Sequence, residues 1–212
     1  MKHFFVIQIL LFLSTLISCS ESNEYIIETD IKNYFPDTIS RLSQKEINER
    51  TNLFIEEVKR NTIGKLIPVT SIYNTDRVLM KLDEILTEET ILIASDAYCG
   101  WGVGLLTSDF PNSMKKLETE IKNTRVICLA IRQESDIETP ERFNEFIDEL
   151  SSYYQELYII DEVESQKLNL VFNTTRLYIN KELVIKNIGI GMLADNDYLI
   201  QEIQINTNAN KR

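Results

Sequence analysis

From residue 64 onward, short unbroken apolar runs alternate with stretches whose apolar residues recur every three or four positions. The runs within 90–95 and 125–131 predict strands buried on both faces, as in a mostly parallel sheet covered by helices. Leu157 to Ile160 predicts a shorter strand, and Thr175–Asn180 with Leu183–Ile188 a hairpin around Lys181-Glu182. Lys65 to Tyr73 is a weaker strand, moved to an edge by Pro68. Helical spacing predicts a helix over 77–88 (Val78, Leu79, Leu82, Ile85, Leu86) and another from Thr139-Pro140 (Phe143, Phe146, Ile147, Leu150, Tyr154). Ser108 and Pro111 mark a helix start running to about Lys122, with Met114, Leu117 and Ile121 inward. A short acidic helix over 161–168 and a closing helix over 193–205 complete the series. Upstream, Ser43-Gln44-Lys45-Glu46 has the form of a capping box and opens a helix to about Arg60, with Ile47, Leu53, Phe54 and Val58 as its stripe. The expected fold is an α/β mixed sheet flanked by helices, with an N-terminal helical extension.

The first 18 residues have a different pattern. A basic start, Met1-Lys2-His3, precedes an apolar run from Phe4 to Ile17, too short for a membrane span and typical of an export signal. The run closes on Leu16-Ile17-Ser18-Cys19, which resembles the lipobox of bacterial lipoproteins. The resemblance implies cleavage before Cys19 and lipidation of its sulfur, with the membrane as a partner through that lipid. The organisation read from this is a signal over 1–18, a tether and helix over 19–63, one domain over 64–206 and a tail over 207–212.

Charge and histidine content narrow the functions. With 33 acidic against 22 basic residues and a net charge of −11, the chain has no electrostatic footprint for nucleic acid. Its one histidine, His3, lies in the signal, so neither a Ser-His or Cys-His pair nor a histidine metal ligand is expected. No Asp-x-Asp-x-Asp-Gly calcium loop occurs, and no cofactor is implied. Beyond Cys19 there are two cysteines, Cys99 and Cys128. A disulfide between them is open from the sequence, although they fall in different environments: Cys128 mid-strand, and Cys99 at a strand end.

That strand end is the candidate site. Asp96-Ala97-Tyr98-Cys99-Gly100-Trp101-Gly102-Val103-Gly104 follows the 90–95 strand, and three of the chain's six glycines lie within five residues of Cys99. A G-x-G-x-G run is not a phosphate loop, which needs different spacing or a following Gly-Lys-Ser/Thr. The arrangement resembles the thioredoxin-like fold, especially the membrane-tethered redoxins of the bacterial envelope, over roughly Gly64 to Gln204. Their signature is a strand, an aromatic and Cys-x-x-Cys opening a helix. Tyr98 matches the aromatic, Cys99 the attacking cysteine, and Gly100 and Trp101 the variable pair; Gly102 stands where the second cysteine belongs. The resemblance further implies a cis-proline facing the cysteines, at a position held here by Thr174 after Asn173. A trans bond is expected there, because a non-proline cis bond costs about 3 kcal/mol. Ile93 stands where some thioredoxins carry a buried acid. With its helix signals only at Ser108 and Pro111, the chain leaves Cys99 in a loop without a helix dipole. Two functions remain: a monothiol redoxin forming mixed disulfides with protein thiols through Cys99, or an inactive thioredoxin-fold binding or scaffold module. Both are envelope functions, on the periplasmic or surface side. A peroxidase is disfavoured, since Asp96 occupies the place of the threonine in Thr-x-x-Cys.

Overall fold

The computed structural model describes residues 24–35, 42–98, 100–117, 121, 123–170, 174–191 and 196–208; side chains at 101, 102, 196, 197 and 208 are outside the description. The expectations for the signal, Cys19, Cys99, Asn173 and the end of the tail therefore fall outside the described residues.

One seven-stranded sheet runs through the domain in the order β2-β1-β5-β4-β3-β6-β7. Its strands are β1 (Ser71–Asn74), β2 (Leu79–Lys81), β3 (Thr90–Asp96), β4 (Arg125–Arg132), β5 (Leu157–Asp161), β6 (Thr175–Ile179) and β7 (Ile185–Ile190). β3, β4 and β5 are parallel, and the remaining pairs are antiparallel, so the sheet is mixed as expected. The two strong apolar runs are neighbours, with Ile93 opposite Cys128. Alternation sends Leu92 and Ala94 of β3 to one core and Ile91 and Ile93 to the other, so every residue of that strand is buried.

Helix α1 (Gln44–Thr62) covers the first core with Phe54 and Val58. Its capping box forms: the Ser43 hydroxyl accepts from the Glu46 N–H, and the Glu46 carboxylate accepts from the Ser43 N–H. Such a cap contributes about 1 kcal/mol. Leu53 is exposed, so the buried stripe is Phe54, Val58 and Thr62. The second core is closed by α3 (Gly100–Gly104), a π-helical turn (Leu105–Asp109), α4 (Phe110–Lys116), α6 (Glu141–Ser151) and α8 (Asn196–Asn208). Two short helices, α5 (Ser135–Glu138) and α7 (Glu162–Gln166), follow β4 and β5. No described helix is long and apolar enough to cross a membrane.

Three expectations are corrected. The helix over 77–88 is strand β2 followed by one helical turn, α2 (Leu82–Ile85). Arg77 adopts φ 64° in the turn after β1, which reverses the chain and lets β2 pair back on β1. The weak strand over 65–73 is confined to β1, an inner strand between β2 and β5; β2 is the edge. The helix expected from Ser108 begins at Gly100.

The described residues ahead of α1, within the segment expected to hold the tether, are bound to the domain. Tyr25 bridges Leu66, and Ile26 is buried in the first core. Asn169, buried at φ 53°, ties the stretch down: its Oδ1 accepts from Thr29 N–H at 2.8 Å, while its Nδ2 donates to the Ile27 carbonyl at 3.0 Å and to Thr62 Oγ1 at 2.8 Å.

Candidate functional site

β3 is the fifth strand of the seven, with a parallel neighbour on one side and an antiparallel one on the other. Its carboxyl end is therefore flanked by the end of β4 and the start of β6, the kind of sheet corner where ligands and chemistry collect. Asp96 and Ala97 are buried, and Tyr98 is 36% exposed. Helical backbone resumes at Gly100, directly after position 99.

From Gly100 to Lys116 the helical backbone is continuous, because Gly104, Asp109 and Phe110 all hold αR angles across the joins. The π turn inside it has a local cause. Pro111 has no N–H, and its ring crowds the carbonyl four residues back; widening the preceding turn relieves this. Phe110 N–H consequently donates to the Leu105 carbonyl. The Leu106 carbonyl is satisfied by the buried Tyr154 hydroxyl at 2.8 Å. Burial raises the Tyr154 hydroxyl well above the tyrosine range, so it is a permanent donor.

A network of side chains fixes the residue before Cys99. Asp96 Oδ1 accepts from Tyr98 N–H at 2.8 Å, and Asp96 Oδ2 accepts from Gln133 Nε2 at 3.2 Å. The Tyr98 hydroxyl donates to Asp136 Oδ1, and Asp136 Oδ2 accepts from Gln133 N–H at 2.8 Å. Asp136 is itself buried, so these bonds offset its desolvation. The Arg142 guanidinium lies 4.5 Å from the Tyr98 ring centroid, within cation–π range. The hydrogen bond to Asp136 holds the Tyr98 hydroxyl above its ordinary pKa. Tyr98 is thus clamped from the β4–α6 side by Asp136 and Arg142, with Gln133 bonded to both carboxylates that hold it; the sequence singled out none of these three.

On the other side of β3, Thr175 pairs with Ala94, which sets Thr174 beside Ser95 at the corner. Thr174 is buried, and its carbonyl accepts from Gly191 N–H at 2.8 Å. Of the residues named in advance, the structure brings Tyr98, Gly100 and Thr174 to one corner, with the backbone of Trp101 and Gly102 in the helix leaving it. Behind them Arg176, wholly buried, forms a two-pronged pair with Glu202: Nε to Oε1 at 2.7 Å and Nη2 to Oε2 at 3.0 Å. The Tyr178 hydroxyl donates to Glu202 Oε1 at 2.6 Å. Burial works to lower the Arg176 pKa, but Glu202 outweighs it and the guanidinium is held above its ordinary value.

Cys128 lies mid-strand, as expected, and opposite Ile93 of β3. It is free and fully buried, and burial pushes its pKa up. A raised pKa keeps the thiol protonated and unreactive. Iodoacetamide at pH 8 is expected to leave Cys128 unmodified in the folded chain and to label it in denaturant, read by peptide mass spectrometry. Labelling at equal rates in both states would contradict its burial.

A cleft of about 470 Å³ lies at the carboxyl ends of β3, β4 and β5, lined among others by Asp96, Gln133, Glu162, Gln166, Asp30 and Lys32. Asp96 is shared between this cleft and the Tyr98 corner. Among the described residues, no group of three His, Cys, Asp or Glu side chains could hold a metal ion.

No protein-family model matches the chain, and no curated protein matches its sequence. Solved structures do match in shape. The thioredoxin domain of a thiol-disulfide oxidoreductase from Bacteroides vulgatus superposes with a TM-score of 0.52 at 13% identity, covering 69% of this chain and 99% of that one. A thiol:disulfide interchange protein from Bacteroides sp. gives 0.50 at 12% identity, covering 69% and 91%. ScoI from Arabidopsis thaliana, solved with copper bound, gives 0.51 at 12% identity, covering 67% and 98%.

Proposed function

We propose that this chain, whose fold is thioredoxin-like, acts at the bacterial cell envelope as a single-thiol redoxin, anchored by a lipid on Cys19 and exchanging thiol for disulfide at Cys99. The observation that carries the reading is the corner itself. Residue 99 falls between a clamped aromatic at the end of β3 and a helical run that starts at Gly100. Unpaired N–H groups at such a helix start favour a thiolate beside them.

The chemistry needs no cofactor. The Cys99 thiolate attacks one sulfur of a partner's disulfide; that S–S bond breaks, a mixed disulfide forms, and the partner's other sulfur leaves as thiolate. Gly102 supplies no second thiol, so the mixed disulfide persists until a thiol from another molecule attacks it and restores Cys99.

A second reading, a binding or scaffold module without redox activity, has one observation in its favour. Two buried carboxylates, Asp96 and Asp136, flank the tyrosine next to Cys99, and nearby negative charge disfavours a thiolate. The hydrogen bonds that both carboxylates accept from Tyr98 and Gln133 weaken this effect.

One experiment in cells separates the readings. Acid quenching and alkylation should trap the wild-type chain in reductant-sensitive complexes within the membrane fraction. Cys99→Ser should lose the complexes but stay with the membrane; Cys19→Ala should lose labelled fatty acid. Complexes that survive Cys99→Ser would overturn the thiol assignment, and equal fatty-acid labelling of Cys19→Ala would overturn the anchor.

A further inference from the structure

The Arg176–Glu202 pair is unusual in its position. Arg176 is on β6, opposite Ile93 of β3, with none of its surface exposed and α8 supplying its carboxylate partner. Ion pairs buried this deeply are often no more stabilising than well-packed hydrophobic residues of the same volume. Yet the surroundings are shaped around this one. Gly189, paired with Arg176 across β6 and β7, leaves the room the pair occupies: a Cβ there would overlap Glu202 Oε1 and stand 2.7 Å from Arg176 Nη2. Tyr178, two residues along the same strand face, adds its hydroxyl to Glu202.

The third arm of the guanidinium leads to the corner. Arg176 Nη1 donates to the Gly191 carbonyl at 3.1 Å, and the N–H of the same Gly191 donates to the Thr174 carbonyl at 2.8 Å. The regular β6–β7 ladder ends at Thr175 and Ile190. Beyond it, among the described residues, the 174–191 pair is held by that backbone bond and by the guanidinium. Gly191, at φ 75°, is a residue whose angles the bond must hold against many alternatives.

We infer that Arg176 is a positioning residue of the Cys99 corner, acting through Gly191 to fix Thr174 beside the end of β3. Two clamps then face each other across the strand end. Asp96 at the end of β3 and Asp136 beyond β4, both bonded by Gln133, hold Tyr98, and Arg176 with Glu202 holds Thr174 through Gly191 from the β6 side. This inference rests on the redox reading of Cys99, since a positioning residue needs a reaction to serve.

The test is the full-length chain carrying Arg176→Met, Tyr178→Phe and Glu202→Met together, which removes the pair without leaving a buried charge. Its melting temperature should stay within about 5 °C of wild type. Amide exchange at Gly191 should accelerate about tenfold, as expected for one lost hydrogen bond. The pH profile of Cys99 alkylation, read by peptide mass spectrometry, should shift by about half a unit or more. Faster Gly191 exchange with an unshifted Cys99 profile would make Arg176 a core residue only and overturn the inference, as would unchanged Gly191 exchange. A wild-type Cys99 that alkylates at no pH would overturn the redox reading instead, and with it the role assigned to Arg176. Should the triple variant fail to fold, Glu202→Gln, which keeps volume and one acceptor, is read in the same way.

Discussion

Replacing Glu202 by alanine is expected to destabilise the fold by about 3–5 kcal/mol, because it strands a fully buried guanidinium without its carboxylate. In a chain of this size that lowers the melting temperature by roughly 10 °C. The effect comes from three directions at once. Arg176 loses both prongs of its pair, the Tyr178 hydroxyl loses its acceptor, and α8 loses its polar tie to β6. Leu199 and Ile203 still hold α8 by packing, so it should loosen rather than detach. Chemical denaturation of the single variant and of the triple replacement checks the argument. The triple replacement should recover most of the loss; equal losses in both would show that the charge is not what the site is built around.

The second large effect is expected at Asn169. Asn169→Ala removes three side-chain hydrogen bonds, to Thr29, Ile27 and Thr62, and puts a residue without a compensating side chain at φ 53°. With Thr29 N–H and the Ile27 carbonyl left without that partner, the cost should be about 3 kcal/mol. The loss is directional. It should free the 24–32 stretch from the C-terminal end of α1 and open one wall of the cleft next to Asp96. Limited proteolysis is the measurement: cleavage should appear within 24–32 while the sheet stays resistant. Cleavage spread evenly over the chain would mean that Asn169 supports the whole domain instead.

The parts of the fold legible in the sequence are those where a single period runs long enough to be read. The runs in β3 and β4, the stripe of α6 and the capping box of α1 were each clear from their own residues. The misread elements are those decided by pairing and packing outside their own run of residues. The apolar residues of 77–88 fit a helix as well as they fit a strand, and pairing with β1 selected the strand. Three glycines and Pro111 argue against a helix from Gly100, but Leu105, Leu106 and Phe110 packing on the sheet outweigh that propensity.

The site was legible only along its own strand. Tyr98 and Gly100 could be named because they follow a recognisable strand in the order of the redoxin signature, and Thr174 only because the resemblance places a cis-proline there. Asp136 and Arg142 lie some forty residues from Tyr98, and no local pattern connects them to it. Arg176 did leave a signal, a lone charge in the otherwise apolar run from Thr175 to Ile179, as did Glu202 beside the apolar Leu199 and Ile203 of α8. What neither position discloses alone is that they meet.

The most direct test of the central claim is the rate of Cys99 alkylation as a function of pH, measured in the folded chain with buried Cys128 as the internal control. A thiol stabilised by the helix that begins at Gly100 should titrate below about 8.5 and react while Cys128 stays protected. A Cys99 that titrates at or above about 8.5, or never reacts, would contradict the redox account and leave a thioredoxin-like module that only binds.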